Sequence, residues 1–213
     1  MPHADALALP TSATASKRAF YAHVCSTTRT LLAPSSPDDP AANWITAFAN
    51  AASLLFGSYE NYADMFGRED GKRVNWAGFY VIPSLLSRHG PASEPTQLFL
   101  GPFQGRPACL SVSLKGTSSR PVGVCAAAYN SGETVVVADV NARAGHIACD
   151  GVTQSEVVVP VVVKRRRGDG TGEDVPVGVL DIDCEALGAF DEEDRRGLEE
   201  FVEVVKEVIR WEL

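Results

Sequence analysis

The sequence predicts an α+β domain in which one central antiparallel sheet is flanked by helices. Two observations carry the prediction. Apolar residues recur at helical intervals only near the two ends of the chain, and between them, from Val74 to Asp183, they fall in short β-rich runs. No internal repeat interrupts that order. With 213 residues, 45% of them hydrophobic, the chain can bury a substantial core, and a single domain over 16–213 behind a flexible leader over 1–15 accounts for its length.

The leader is rich in Ala, Pro, Ser and Thr and shows no sustained period. Phe20, Val24, Thr28 and Leu31 then fall at helical spacing in a segment stopped by Pro34, and Ile45, Phe48, Ala52 and Leu55 repeat the pattern after Pro40. These two helices are expected to pack together on one side of the sheet. Tyr59–Arg73 is polar, contains Gly67 and Gly71, and reads as an enlarged loop. Strands are expected over Val74–Ile82, Gln97–Leu100, Cys109–Leu114, Glu133–Ala138, Glu156–Lys164 and Val177–Asp183. Lys164–Asp174 reads as a solvated hairpin loop whose glycines permit the turn, a better account of its basic run than a nuclear-import patch. Asp191 can cap a last helix with Glu192, Glu193 and Asp194 in its first turn, where carboxylates suit the positive helix end. Leu198, Phe201, Val202, Val205, Val208 and Ile209 form its apolar stripe, which is core or a dimer seam and leaves a homodimer open.

A net charge of −8 opposes binding to nucleic acid or an anionic membrane surface, and no stretch is long and apolar enough to span a bilayer. The leader lacks the basic start and long apolar core of a secretory signal, so five cysteines point to a reducing compartment, the cytoplasm, where thiols persist.

Three of those cysteines, Cys109, Cys125 and Cys149, sit in separate small-residue settings, and no two make a Cys-x-x-Cys pair. A structural zinc site and a thioredoxin-like motif are thereby disfavoured, and thiol redox chemistry on a small ligand is the sharper reading. Taken singly, each could be a small buried hydrophobe. Cys25 and Cys184 read as bystanders. On the Val74–Ile82 strand, two-residue alternation puts Trp76, Gly78 and Tyr80 on one face, where Gly78 would leave a bare patch between two amphipathic rings, unless the aromatics are ordinary core. Asp181 and Asp183 likewise share a face within an apolar run, a costly placement unless a cation or hydrogen bonds satisfy them or they lie on an exposed edge. Gly145–Asp150 joins a glycine turn, His146 and Cys149, seven residues before Glu156, and a thiol on such a loop can be accessible and nucleophilic. His146 with Cys149 would be half a metal site, but no second pair completes it, so no metal is expected.

Read in order, the runs Val74–Tyr80, Leu100–Gly105 with Pro107–Cys109, Gly123–Cys125, Gly145–Asp150, Ser155–Pro160 and Gly178–Asp183 resemble the free methionine-(R)-sulfoxide reductase family, which is built on a GAF domain. The resemblance covers about half the chain. It implies a GAF-like fold, reduction of the R sulfoxide of free methionine, no bound cofactor, and regeneration by thioredoxin. It matches Cys109, Cys125 and Cys149 to redox cysteines, Trp76 and Tyr80 to pocket aromatics, and Glu156, Asp181 and Asp183 to pocket acids. The Leu110–Val122 link is longer than the family's, Ala126 replaces a glycine, and 59–73 and 164–174 are insertions in expected loops. Among the thiols, Cys149 is expected to attack because His146 could stabilise its thiolate, with Cys109 resolving and Cys125 auxiliary. The competing function is a GAF sensor that holds a small ligand without turnover, and retention of all three cysteines favours the enzyme.

Overall fold

A computed structural model describes residues 5–36, 38–62, 73–86, 94–117, 121–145, 151–166 and 172–212. Its elements are α1 (Lys17–Leu32), α2 (Trp44–Asn61), β1 (Val74–Val81), the single-turn α3 (Pro83–Leu86), β2 (Gln97–Gly105), β3 (Ser111–Ser113), α4 (Val124–Ser131), β4 (Val135–Val137), a 3₁₀ turn (Val140–Ala142), β5 (Ser155–Arg166), β6 (Gly172–Cys184) and α5 (Glu192–Glu207). The described strands form one six-stranded sheet in the order β3-β2-β1-β6-β5-β4, antiparallel throughout. That is the α+β architecture expected, one antiparallel sheet with flanking helices.

Alternation along the central strands divides the molecule into two sides. Ala77, Phe79 and Val81 of β1 and Leu180 and Ile182 of β6 are buried against the helical layer, where Phe79 stacks on Phe48 of α2 with ring centroids 3.9 Å apart. The opposite face carries Trp76, Gly78 and Tyr80, and α4 packs there against β5 and β6.

Both predicted N-terminal helices form where their periodicity places them, α1 capped by Ser16 and α2 by Asn43. Several boundaries differ: β2 runs on to Gly105, and β3 begins only at Ser111, which leaves Cys109 outside it. The enlarged loop does not begin at Tyr59, because α2 continues to Asn61 and buries Tyr59 completely, its hydroxyl 2.7 Å from that of Tyr21; the rest of that insertion, 63–72, lies outside the described residues. The expected Lys164–Asp174 loop is mostly ladder: Lys164 pairs with Asp174 and Arg165 with Glu173 across the strands, and only 167–171 lie outside the described residues. The Val124–Ser131 helix was not expected at all. Within the leader, Ala13 is buried and Leu7 lies against Gly57 of α2.

The α5 stripe is core. Leu198, Phe201, Val202 and Val205 are buried, and α5 lies along α1 so closely that a Cβ on Gly197 would meet the Tyr21 ring at 2.1 Å. A buried polar cluster fixes this contact. Asp194 accepts from the Asp191 amide in a capping box, from the Tyr21 hydroxyl at 2.9 Å and from Lys17, whose ammonium also reaches Asp191 at 2.8 Å. Burial raises the Asp194 carboxyl, and the bond to Lys17 opposes that shift. Among the described residues no helix is long and apolar enough to cross a membrane.

Because Asp194 is wholly buried and holds three donors, Asp194→Ala should destabilise the protein by about 3–5 kcal/mol, the cost of breaking a buried pair. Urea unfolding measures it, and a loss below about 1 kcal/mol would show that the cluster contributes no more than a surface ion pair.

Candidate active site

Register builds the site. Across three adjacent strands Glu156 of β5 lies opposite Asp183 of β6, and Asp183 opposite Trp76 of β1; the next row is Val158, Asp181 and Gly78, and the next Pro160, Val179 and Tyr80. Directly opposed residues share a face, so two-residue alternation brings Glu156, Asp181 and Asp183 together beside the aromatics. A bulge between Val74 and Trp76 admits Asn75, whose amide donates to Thr153 at 2.9 Å under the row.

Over these acids α4 lays its first turn. Its small residues Val124, Cys125, Ala126 and Ala128 are buried, which lets the helix approach the sheet. The Cys125 thiol is 3.3 Å from Asp181 Oδ2 and 4.0 Å from Glu156 Oε1. Tyr80, Val112, Gly123, Cys125, Thr153, Glu156, Asp181 and Asp183 line one cavity.

The electrostatics follow from burial. Glu156 is pushed up from 4.5 to about 7 by loss of solvent, with a hydrogen bond to Asp181 and the charge of Arg143 pulling the other way. Burial, then the carboxylates of Asp181 and Glu156, drive the Cys125 thiol well above its ordinary range. Cys125 is therefore a protonated donor at neutral pH, and Glu156 stands near the midpoint of its titration.

The aromatics differ from the sequence expectation in one respect. Gly78 does not leave a bare patch: a Cβ there would meet Phe103 Cβ at 2.3 Å and the Trp76 ring at 2.7 Å. Glycine instead admits a continuous stack, Tyr80 on Trp76 at 5.8 Å and Trp76 on Phe103 at 5.6 Å. Trp76 and Tyr80 are buried, Tyr80 lines the cavity, and its hydroxyl donates to the Cys109 carbonyl at 2.9 Å. Cys109 is half-buried between β2 and β3. Cys149 and His146 lie outside the described residues. Cys25 is buried in α1, and Cys184 is buried at the end of β6.

The sequence reading missed Thr153, Asn75 and Arg143. Arg143 had a signal, since no other Lys or Arg occurs between Arg120 and Lys164. A lone cation in a long acidic and apolar stretch is a natural partner for a buried carboxylate.

Known sequences and solved structures are similar to this chain. The chain is 38% identical over 175 residues to the free methionine-R-sulfoxide reductase of Saccharomyces cerevisiae, covering 82% of this chain and 81% of that one. The chain belongs to the free methionine-R-sulfoxide reductase family. As a member of this family it is an oxidoreductase on a GAF scaffold. The X-ray structure of free methionine-R-sulfoxide reductase from Neisseria meningitidis in complex with its substrate is similar, at 32% identity, a TM-score of 0.65 and 94% coverage of both chains. A solved GAF domain matches at 33% identity and a TM-score of 0.72, over 99% of this chain and 98% of that one. No protein-family model matches the chain.

In this reductase-family member the raised Glu156 sets a pH dependence of stability. Between pH 4.5 and about 7 the native protein holds a proton that the unfolded chain has released, so the stabilisation is complete below 4.5 and is lost as the pH rises towards 7. Glu156→Gln should remove that slope and be more stable relative to wild type at pH 7 than at pH 4.5. Thermal melts of both proteins across this window check it; parallel curves would mean that Glu156 titrates as an ordinary carboxylate.

Proposed function

We propose that the protein reduces the R sulfoxide of free methionine to methionine by thiol chemistry in this cavity. The observation that carries the reading is the row Glu156, Asp183 and Trp76, with Asp181 beside it: carboxyls for the α-ammonium of a free amino acid share a face with aromatics suited to its sulfur-bearing end. A methionine within a peptide lacks that ammonium and would forgo charge-assisted hydrogen bonds to these acids. The Trp76 indole N–H, buried with no hydrogen-bond partner among the described residues, offers a donor to a ligand oxygen.

In the proposed reaction a cysteine thiolate attacks the sulfoxide sulfur while an acid protonates the sulfoxide oxygen. Oxygen passes to the cysteine as a sulfenic acid, and methionine leaves with its sulfur reduced by two electrons. A second thiol then attacks the sulfenic sulfur, water departs and a disulfide forms. A dithiol protein such as thioredoxin returns the two electrons, which places the cycle in the cytoplasm, where disulfides are transient. Cys149 is assigned the attack and Cys109 the resolution. The burial of the Cys125 thiol against two carboxyls supports an auxiliary role for it, because a thiol held protonated is a poor nucleophile.

Incubation with resolved sulfoxide diastereomers and a dithiol should consume free R sulfoxide and spare the S epimer and the N-acetylated substrate. Equal rates on free and N-acetylated substrate would remove the carboxyls from ammonium recognition, and a protein that binds without turnover would be a sensor.

With substrate and no reductant, Cys149→Ser should release no methionine. Cys109→Ser should release about one equivalent in a burst and then stall with a dimedone-reactive sulfenic acid. A full burst from Cys149→Ser with none from Cys125→Ser would move the attack to Cys125.

A further inference from the structure

We infer that Cys125, Glu156 and Asp181 form a three-ligand site for a thiophilic divalent cation, zinc being the type, and that bound metal excludes the amino-acid substrate. The second half rests on the proposed placement of the ammonium; the first does not.

The three side chains come from three elements, α4, β5 and β6, and all are buried. One ligand atom from each lies within 4.8 Å of the others. Zinc bonds thiolate at about 2.3 Å and carboxylate oxygen at about 2.0–2.2 Å, and in a tetrahedron those lengths separate sulfur from oxygen by roughly 3.5 Å. The two measured separations, 3.3 Å to Asp181 and 4.0 Å to Glu156, bracket that edge. Ligation therefore needs small movements of groups whose backbones are fixed by strand ladders and a helix turn, together with loss of the Cys125 proton, which the metal displaces to solvent.

The donor set also selects the metal. One sulfur and two carboxylates suit zinc, cobalt or cadmium; calcium and magnesium require more oxygens and do not favour thiolate. Among the described residues, three protein ligands leave a fourth position for water, the pattern of an open site. Metal there would mask Cys125 and occupy the carboxyls proposed to hold the ammonium, making the reduced enzyme reversibly sensitive to zinc.

The test is cobalt titration of the chelator-treated, reduced full-length protein, followed by zinc displacement. A near-ultraviolet thiolate-to-cobalt charge-transfer band with intense four-coordinate visible bands should saturate at one equivalent. It should vanish in Cys125→Ser, persist in Cys149→Ser, and weaken in Glu156→Gln by more than the roughly 10- to 100-fold that losing an outer-shell partner costs. Circular dichroism verifies that each variant is folded. A band that survives in folded Cys125→Ser, or a weak six-coordinate spectrum indifferent to Glu156→Gln, overturns the ligand set. Free methionine sulfoxide should raise the apparent dissociation constant for cobalt. Failure to compete with the band intact overturns the exclusion and faults the ammonium placement rather than the metal site, while turnover measured without metal reports separately on the reductase reading.

Discussion

The register of β1, β6 and β5 is the constraint on which the rest depends. Because side chains alternate, the same three strands present Leu180, Ile182 and Phe79 to one layer and Asp181, Asp183 and Glu156 to the other. A slip of one residue would drive three carboxyls into the helical core and carry its hydrophobes into the cavity. Each face thus protects the pairing of the other: burial of Phe79 against Phe48 holds the acids in place.

Holding carboxyls under a helix has an energetic cost that the local structure offsets in several small ways. Glu156 shares a hydrogen bond with Asp181 and feels the charge of Arg143, and Cys125 contributes a thiol proton. The small side chains of α4 matter here, since a larger residue at Ala126 or Ala128 would lift the thiol from the acids. On the helical side, the Lys17, Asp194 and Tyr21 cluster does comparable work, locking α1 to α5 by groups too expensive to leave unpaired.

Much of this was legible in the sequence because it is written in local periods. The α1 and α5 stripes, the Trp76 and Tyr80 face and the Asp181 and Asp183 face all follow from counting along one element. What was missed depends on partners far away in the chain. Tyr59 reads as the start of a polar loop until Tyr21, 38 residues distant, supplies its hydrogen bond. Lys164 and Arg165 look like loop charges until Asp174 and Glu173 face them across a ladder. The α4 helix, Val-Cys-Ala-Ala-Ala-Tyr-Asn-Ser, has no apolar stripe because its residues are nearly uniform, and Gly123 gives it no side-chain cap.

The hydrogen bond from Tyr80 to the Cys109 carbonyl joins two functions that are usually separate. The same ring is a wall of the cavity and a tether on the segment that carries a thiol. A guest that shifts the ring must pull on that segment, and a segment that swings away must release the ring. Occupancy of the cavity and the position of the Cys109 segment are thereby coupled through one hydrogen bond.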